Sequence, residues 1–339
     1  MYNNFCSLSV EIIMKYVSCI HLEHGITFFS TSVQICCISS HPGGGNIVQI
    51  DNYKGEPIDW DALFKNRNKM REDIRNGIIP DKCSGCYYLK EQDWNTDNYI
   101  DEVLIGHFTH CNCNCIYCYT DKDKKFFNSN RTYNIYPVIK DMIDKGILSK
   151  NSTITFGGGE PTILDEFEDL VYLLLDYDVY NIRIHSDGIK YSPAIEKGLK
   201  LGKITLITSV DSSSKEVYEK VKKVPCHDKV WANLAKYAET KNGLIRTKYV
   251  LIPGVNDSLK EVKNWMKKTY DAGIRNLAFD IEDNWFKEHR NNIPQYIYVI
   301  FDFVYKSFSQ YNLDSCELYE RASNLKIDRE NRFNDLKNN

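Results

Sequence analysis

An excess of charge of one sign and a long apolar run are both missing from this chain of 339 residues. The formal net charge is −3, so the chain lacks the basic surplus that neutralises nucleic acid phosphates, and we expect no nucleic acid partner. No run reaches about 18 apolar residues, the length that a membrane-spanning helix needs. The sequence therefore predicts no membrane span.

An export signal is also missing from the start of the sequence, because no basic segment precedes an apolar one there. Cysteine, in contrast, is plentiful, with 12 residues, and many of them fall in short motifs. In a large chain without an export signal, such clusters indicate metal ligation in a reducing compartment rather than disulfides. We therefore expect a cytoplasmic protein that binds metal.

The middle of the chain alternates predicted strands with predicted helices. Hydrophobic residues make up 42% of the chain, which is ample for a buried core. The predicted strands cover residues 103–108, 154–156, 181–185, 203–210, 247–251 and 276–280. Six β–α units predict a parallel sheet, because parallel strands need crossover connections. The pattern alone suits either an open doubly wound sheet or a barrel.

A cysteine loop follows the first of these strands. Cys111, Cys115 and Cys118 have the spacing C-x3-C-x2-C, and their backbone is too short to spread the three sulfurs apart. Soft thiolates select zinc, copper(I) or iron–sulfur clusters, and both structural zinc and a [4Fe–4S] cluster normally have four protein ligands. Three ligands therefore indicate a cluster with one open iron. Cys113 is interpreted as a spacer in this loop, or as a reactive thiol near substrate.

A glycine run follows the second strand as Gly157, Gly158, Gly159, Glu160 and Pro161. Glycines let the backbone approach a ligand without a Cβ clash, and Glu160 or nearby carbonyls can accept a hydrogen bond from an ammonium group. The cysteine loop and Gly-Gly-Glu-Pro, in this order at the ends of successive predicted strands, together resemble the radical S-adenosylmethionine (radical SAM) superfamily. The resemblance covers residues 103–280.

The resemblance implies an α/β fold, a partial (β/α)6 TIM-like barrel with its site at the carboxyl ends of the strands. It implies an enzyme in which Cys111, Cys115 and Cys118 hold a [4Fe–4S] cluster whose open iron is chelated by SAM. An electron from a flavodoxin- or ferredoxin-type donor would cleave SAM to a 5′-deoxyadenosyl radical, which abstracts hydrogen from the substrate.

The resemblance also assigns SAM binding to residues near the strand ends. Tyr117 is the aromatic residue before the third cysteine, and Gly158, Gly159 and Glu160 would meet the methionine amino group. Further candidates follow the third and fourth strands: Ser186, Asp187, Ser209 and Asp211. The first two of these form a simple turn in the alternative interpretation. Arg246, near the start of the fifth strand, is expected at the wrong end for the site.

The amino-terminal part of the chain contains a second group of cysteines. A β-hairpin is predicted over residues 26–37, and a C-x2-C knuckle follows at Cys83 and Cys86. A site of four thiolates is predicted from Cys19, Cys37, Cys83 and Cys86, with Cys36 as the alternative to Cys37. This group resembles the SPASM and twitch accessory domains of radical SAM enzymes, although those domains normally follow the core. A second [4Fe–4S] cluster is favoured over a zinc knuckle that staples the fold.

The predicted organisation has three parts: an auxiliary iron–sulfur domain at residues 1–99, a radical SAM core at 100–285, and a helical extension at 286–339. Accessory clusters in this superfamily accompany peptide modification, so we expect a peptide or protein substrate that is modified or matured. The alternative is radical dehydrogenation or epimerisation of a small polar metabolite such as a sugar. A non-catalytic zinc-binding interaction protein is the alternative of another class.

Overall fold

The computed structural model describes residues 15–36, 48–94, 97–118, 133–307, 311 and 315–318. The strands are β1 (Tyr16–Ser18), β2 (Gly25–Phe29), β3 (Ser32–Gln34), β4 (Gln49–Asp51), β5 (Lys90–Gln92), β6 (Ile100–Gly106), β7 (Leu148–Phe156), β8 (Asn181–His185), β9 (Ile204–Ser209), β10 (Leu244–Leu251), β11 (Asn276–Ile281) and β12 (Ser315–Leu318). The helices are α1 (Ile20–His24), α2 (Trp60–Arg75), α3 (Tyr136–Asp144), α4 (Phe167–Tyr177), α5 (Pro193–Lys200), α6 (Lys215–Lys222), α7 (His227–Ala238), α8 (Leu259–Asp271), α9 (Asp283–His289) and α10 (Gln295–Lys306).

Ten of the described strands form one sheet, in the order β12-β11-β10-β9-β8-β7-β6-β2-β3-β4. From β6 to β11 every neighbouring pair is parallel. These are the six strands predicted from the sequence, so the α/β class with a mostly parallel sheet is confirmed. The arrangement is that of a partial TIM-like barrel. Among the described residues, no helix combines the length and apolarity needed to cross a membrane.

The two faces of the sheet differ because its strands alternate side chains between them. Tyr249 packs its ring 5.0 Å from that of Trp265 on α8, and Phe156 lies 5.4 Å from Phe167 on α4. Burying each such side chain stabilises the fold by about 1.5–3 kcal/mol. The helices therefore cover this face, which we call the outer face. The opposite face, which is concave, carries the residues that alternate with these along each strand, such as Arg246 and Lys248.

Some strands begin earlier than the sequence predicted. β7 starts at Leu148 rather than at residue 154, and β10 starts at Leu244 rather than at 247. Apart from the buried Leu148, the extra residues in β7 are polar, and Lys150 and Asn151 are exposed. They therefore give no continuous apolar signal.

The predicted amino-terminal hairpin is present as β2 and β3, which pair antiparallel. β2 also pairs in parallel with β6, with Ile26 opposite Val103, so the hairpin extends the same sheet as the core strands. The predicted boundary at residue 99 stays a prediction. At the other edge β12 pairs in parallel with β11, and residues 319–339 of the predicted helical extension lie outside the described residues.

Two buried arginines of α2 hold α1 against the start of β2. Arg67 is 0% exposed and donates to the carbonyl oxygens of Glu23 (3.2 Å) and Gly25 (2.8 Å). Arg71 bonds the Glu23 carboxylate at 2.8 Å. A hydrogen bond that involves a charged group contributes about 1.5–3 kcal/mol to stability. The network fixes the position of Cys19, which caps the amino end of α1.

Candidate active site at the carboxyl ends of the strands

The cysteine loop leaves the carboxyl end of β6 and is fastened to the end of α6. Asn114 N–H donates to the carbonyl of Lys222 at 3.0 Å, and Ile116 N–H donates to that of Val221 at 3.0 Å. These carbonyls belong to the last turn of a helix, where they have no partner within the helix. The loop therefore satisfies the helix end, and the helix end fixes the path of the loop.

The three predicted ligands in this loop are half-buried thiols. Cys113 lies between them, and its thiol is hydrogen-bonded to those of Cys111 and Cys115. The hydrogen bond from Cys113, together with the ammonium of Lys222, lowers the pKa of Cys115 to about 7. As placed, the described residues contain no group of three or more His, Cys, Asp or Glu side chains arranged around an ion.

The donor set of this loop fits a [4Fe–4S] cluster. Cluster ligands are thiolates, and the lowered pKa of Cys115 favours the thiolate there. Cys111, whose pKa is also lowered, first of all by its hydrogen bond with Cys113, shares that tendency. Cys111, Cys115 and Cys118 would be the residues that hold such a cluster.

The glycine motif packs directly on the backbone of the cysteine loop. Gly159 N–H donates to the carbonyl of Phe108 at 3.0 Å, and Glu160 N–H donates to that of His110 at 2.9 Å. A Cβ on Gly159 would overlap the His110 carbonyl oxygen and lie 2.7 Å from the carbonyl carbon of Thr109. The sequence predicted that these glycines let the backbone approach a ligand. The structure adds that they let two backbone segments meet.

The Glu160 side chain joins the glycine motif to the turn after β8. It is 2% exposed, and its carboxylate accepts from the Thr162 hydroxyl (2.6 Å), the Ser186 hydroxyl (2.9 Å) and the Asp187 N–H (2.6 Å). Burial, and then the nearby charge of Asp187, raise the pKa of Glu160 to about 7. Contact of this carboxylate with SAM remains a prediction, because the structure shows it bonded within the protein.

Ser186 and Asp187 form the turn that was the alternative interpretation of this segment. The Ser186 hydroxyl accepts from Gly188 N–H at 3.1 Å, and Asp187 Oδ1 accepts from Ile189 N–H at 2.8 Å. The other oxygen of Asp187 lies 3.5 Å from the thiol of Cys113. The turn therefore stands beside the cysteine loop, so the structure brings these predicted residues together with Glu160.

Asp211 lies in a buried cluster with Tyr117 and Lys222. Its Oδ2 accepts from the Tyr117 hydroxyl at 2.5 Å and lies 2.5 Å from Lys222 Nζ, while Oδ1 accepts from Val250 N–H at 2.7 Å. The side chains of Lys222 and Asp211 are 3% and 0% exposed. This carboxylate thus has donors within the protein, and a contact with SAM remains a prediction. Lys222 was missed from the sequence.

Ser209 and Arg246 are placed by the register of neighbouring strands. Ser209 ends β9 and pairs with Lys248 of β10, while Arg246 pairs with Ile207. Ile207 in turn pairs with His185, the last residue of β8. The stagger between strands, usual in closed or partly closed barrels, therefore puts Arg246 level with the carboxyl end of β8. On its other side Arg246 pairs with Asn276, the first residue of β11, so the expectation that it lies at the wrong end for the site stays a prediction.

The second group of cysteines lies at the opposite end of the sheet. Burial, and then the nearby charges of Cys36, Cys83 and Cys86, raise the pKa of Cys19 to about 12. Gln34 pairs with Thr27, so Cys36 comes level with the amino end of β2. The cysteine loop, in contrast, follows the carboxyl end of β6, which runs parallel to β2. Cys37, the ligand predicted from the sequence, lies outside the described residues.

Residues 105–266 match the family model of the Radical SAM superfamily. A GTP 3′,8-cyclase of Clostridium botulinum is 25% identical over 182 residues, which cover 52% of this chain and 55% of the relative. A 7,8-dihydro-6-hydroxymethylpterin dimethyltransferase of Methanocaldococcus jannaschii is 24% identical over 209 residues, covering 56% of this chain and 39% of the relative. The chain thus spans about half or less of the length of these relatives.

The crystal structure of Streptococcus suis SuiB bound to S-adenosylmethionine is similar with a TM-score of 0.49 and 12% sequence identity. That likeness covers 77% of this chain and 57% of SuiB. The family model spans β6 to α8, and it includes both the cysteine loop and the glycine motif that packs on it. Residues 105–266 of this chain, which carry both motifs, are thus similar to the Radical SAM superfamily.

Proposed function

We propose that this chain is a radical SAM enzyme in which Cys111, Cys115 and Cys118 hold a [4Fe–4S] cluster. SAM then binds where the glycine motif meets the turn after β8. The observation that carries the proposal is the pair of hydrogen bonds from Gly159 and Glu160 N–H to the backbone that leads into the cysteine loop. When bound, cluster and SAM supply, on receipt of one electron, a carbon radical that takes hydrogen from an unactivated carbon.

The side chains around the loop have distinct tasks in this proposal. Lys222 places a positive charge near Cys115, which favours the thiolate needed for ligation. Glu160 fixes the spacing between the glycine motif and the turn at Ser186 and Asp187. Phe108, which is 0% exposed, closes the base of the loop against water. Because these contacts are buried, they hold the cysteine loop, the glycine motif and the turn after β8 in place relative to one another.

The substrate that we propose first is a peptide or protein, which the enzyme would modify or mature. It is supported by the second cysteine group, because accessory cysteine sites accompany peptide modification in this superfamily. The alternative is a small polar metabolite, and the name of the Clostridium botulinum relative, a GTP 3′,8-cyclase, favours that alternative. A flavodoxin- or ferredoxin-type protein is the proposed electron donor, and the cytoplasm the proposed compartment.

SAM cleavage tests the activity without knowledge of the substrate. Protein purified without oxygen is mixed with SAM and dithionite, and 5′-deoxyadenosine and methionine are measured by chromatography. The wild type is expected to form both products, and Cys118→Ala neither. Cys226→Ala, a half-buried cysteine at the start of α7, is the matched control and should cleave SAM like the wild type. A wild type that binds SAM and an iron cluster without cleaving SAM would refute the proposal.

The second cysteine group is proposed to bind a zinc ion or a second cluster through Cys19, Cys36, Cys83 and Cys86. Its place at the amino end of β2 favours a structural role, in which the metal stabilises the fold. In barrels, residues at the amino ends of the strands serve stability, whereas chemistry occurs at the carboxyl ends. Metal analysis of the purified protein should show that Cys36→Ser loses this metal and that Cys37→Ser keeps it. The reverse result would restore Cys37 as the ligand predicted from the sequence.

A further inference from the structure

A buried hydroxyl group on α6 has no hydrogen-bond partner among the described residues. It belongs to Tyr218, whose side chain is 1% exposed. A hydroxyl buried in this way costs free energy, because it has lost its hydrogen bonds to water without gaining others. Most buried polar groups in proteins are bonded, so an unpaired one calls for a physical explanation.

Two other tyrosines are buried as deeply as Tyr218, and both have partners. The hydroxyl of Tyr237 on α7 accepts from Ser192 N–H at 2.7 Å. The hydroxyl of Tyr249 on β10 donates to the carbonyl of Asn256 at 2.6 Å. Burial in this fold therefore does not by itself leave a tyrosine hydroxyl without a partner.

The Tyr218 side chain lies on the part of α6 that meets the cysteine loop. It stands one turn before Lys222, and side chains four residues apart share one face of a helix. Lys222 donates to the Tyr117 hydroxyl of the loop at 2.8 Å, and its carbonyl accepts from Asn114 N–H. The ring of Tyr218 packs edge-on against that of His227, with the ring centroids 5.6 Å apart. Contacts on both sides therefore fix Tyr218 beside the loop.

The groups around the Tyr218 hydroxyl belong to the proposed cluster site. Burial, and then the nearby charge of Cys113, raise the pKa of this hydroxyl, and Asp187 acts in the same direction. The Cys113 thiol lies 3.5 Å from the Asp187 carboxylate and is hydrogen-bonded to the thiols of Cys111 and Cys115. The unpaired hydroxyl is thus close to the sulfur atoms that would hold the cluster.

We propose that the Tyr218 hydroxyl donates a hydrogen bond to a sulfur atom of the bound [4Fe–4S] cluster and so raises the reduction potential of the cluster. The inference rests on the proposed function, since it concerns the same cluster. One-electron reduction adds one negative charge to the cluster, so a donor to sulfur stabilises the reduced form more than the oxidised form. The buried ammonium of Lys222, on the same helix face, acts in the same direction.

Redox titration of the cluster-loaded protein tests this inference. The wild type and Tyr218→Phe, both purified without oxygen and reconstituted with iron and sulfide, are titrated with dithionite in the presence of redox mediators. Electron paramagnetic resonance measures the fraction of reduced cluster. The equilibrium constant for reduction should be about tenfold lower in the variant, which is a shift of about 59 mV to lower potential for a one-electron step. The iron content of the two proteins should be the same.

Unfolding of the cluster-free protein by urea gives a second, independent measurement. Tyr218→Phe removes a hydroxyl that has no partner within the protein, so the variant should need at least as much urea as the wild type. Tyr237→Phe is the matched control, because it removes a hydroxyl that is buried to the same degree but bonded to Ser192 N–H. The control should unfold at a lower urea concentration, and its equilibrium constant for cluster reduction should stay within about twofold of the wild type.

An unchanged reduction potential in Tyr218→Phe would overturn the inference. So would weaker SAM binding at an unchanged potential, because the acceptor would then be SAM rather than sulfur. If cluster-free Tyr218→Phe unfolds at clearly less urea than the wild type, the hydroxyl is bonded within the protein and the inference is wrong. A wild type that holds no iron would overturn the proposed function and the inference together, and this result differs from a loaded cluster whose potential does not move.

Discussion

Replacing Gly159 by alanine is expected to remove the cluster and with it SAM cleavage. The new Cβ would overlap the carbonyl oxygen of His110, and this neighbour is backbone, which cannot rotate away as a flexible side chain can. Either the glycine motif or the cysteine loop must move, and both hydrogen bonds between them would lengthen. Iron content after anaerobic reconstitution should fall to a small fraction of the wild-type value, with no detectable 5′-deoxyadenosine.

Gly157→Ala is the control for this result, since it adds the same methyl group two residues earlier. A Cβ there would meet a methyl carbon of Leu104 at 3.4 Å, which is an ordinary contact with a movable side chain. We expect this variant to keep its iron. Equal iron loss in both variants would mean that the glycine motif tolerates no side chain for a reason other than contact with the cysteine loop. Full iron in Gly159→Ala would show that contact with the loop is not needed.

Lys222→Met is expected to lower the free energy of unfolding by about 3–5 kcal/mol. The change leaves the fully buried carboxylate of Asp211 without its cation, and breaking a buried ion pair from one side typically has this cost. It also removes a donor at 2.8 Å from the Tyr117 hydroxyl. Urea denaturation followed by circular dichroism, on cluster-free protein, measures the effect separately from metal binding.

Lys220→Met is the matched control, because Lys220 is exposed on the same helix two residues earlier. It should change the free energy of unfolding by no more than about 0.5 kcal/mol. The double variant Asp211→Asn/Lys222→Met should be more stable than the sum of the single effects predicts, since it leaves no unpaired charge. Additive effects, or a stable Lys222→Met, would contradict a structural role for the pair.

The cysteine loop and the glycine motif were readable from the sequence because each is a short run whose spacing carries its chemistry. The buried cluster of Asp211, Tyr117 and Lys222 was not readable, because Tyr117 lies 94 residues from Asp211 and 105 from Lys222. Only the pairing of β9 with β10 and the path of α6 bring them together. A helix end rich in lysine, such as that of α6, is also typical of a solvated face, so it does not single out Lys222.

The strands themselves were predictable where apolar residues alternate, as in β8. The place of Arg246 was not readable, because the position of a residue along its own strand does not give its height in the sheet. That height depends on the stagger between strands, which is set by many pairings at once. The role of Arg67 was equally hidden, since an arginine in an amphipathic helix gives no sign that it will be 0% exposed.

The most direct measurement is the iron and sulfide content of protein purified without oxygen, for the wild type and for the triple variant Cys111→Ala/Cys115→Ala/Cys118→Ala. The account predicts about four irons fewer in the triple variant than in the wild type, the content of one [4Fe–4S] cluster. The amino-terminal cysteines would keep whatever metal they hold. A wild type that contains no iron and binds zinc at the loop would contradict the radical SAM account and favour the zinc-binding interaction protein.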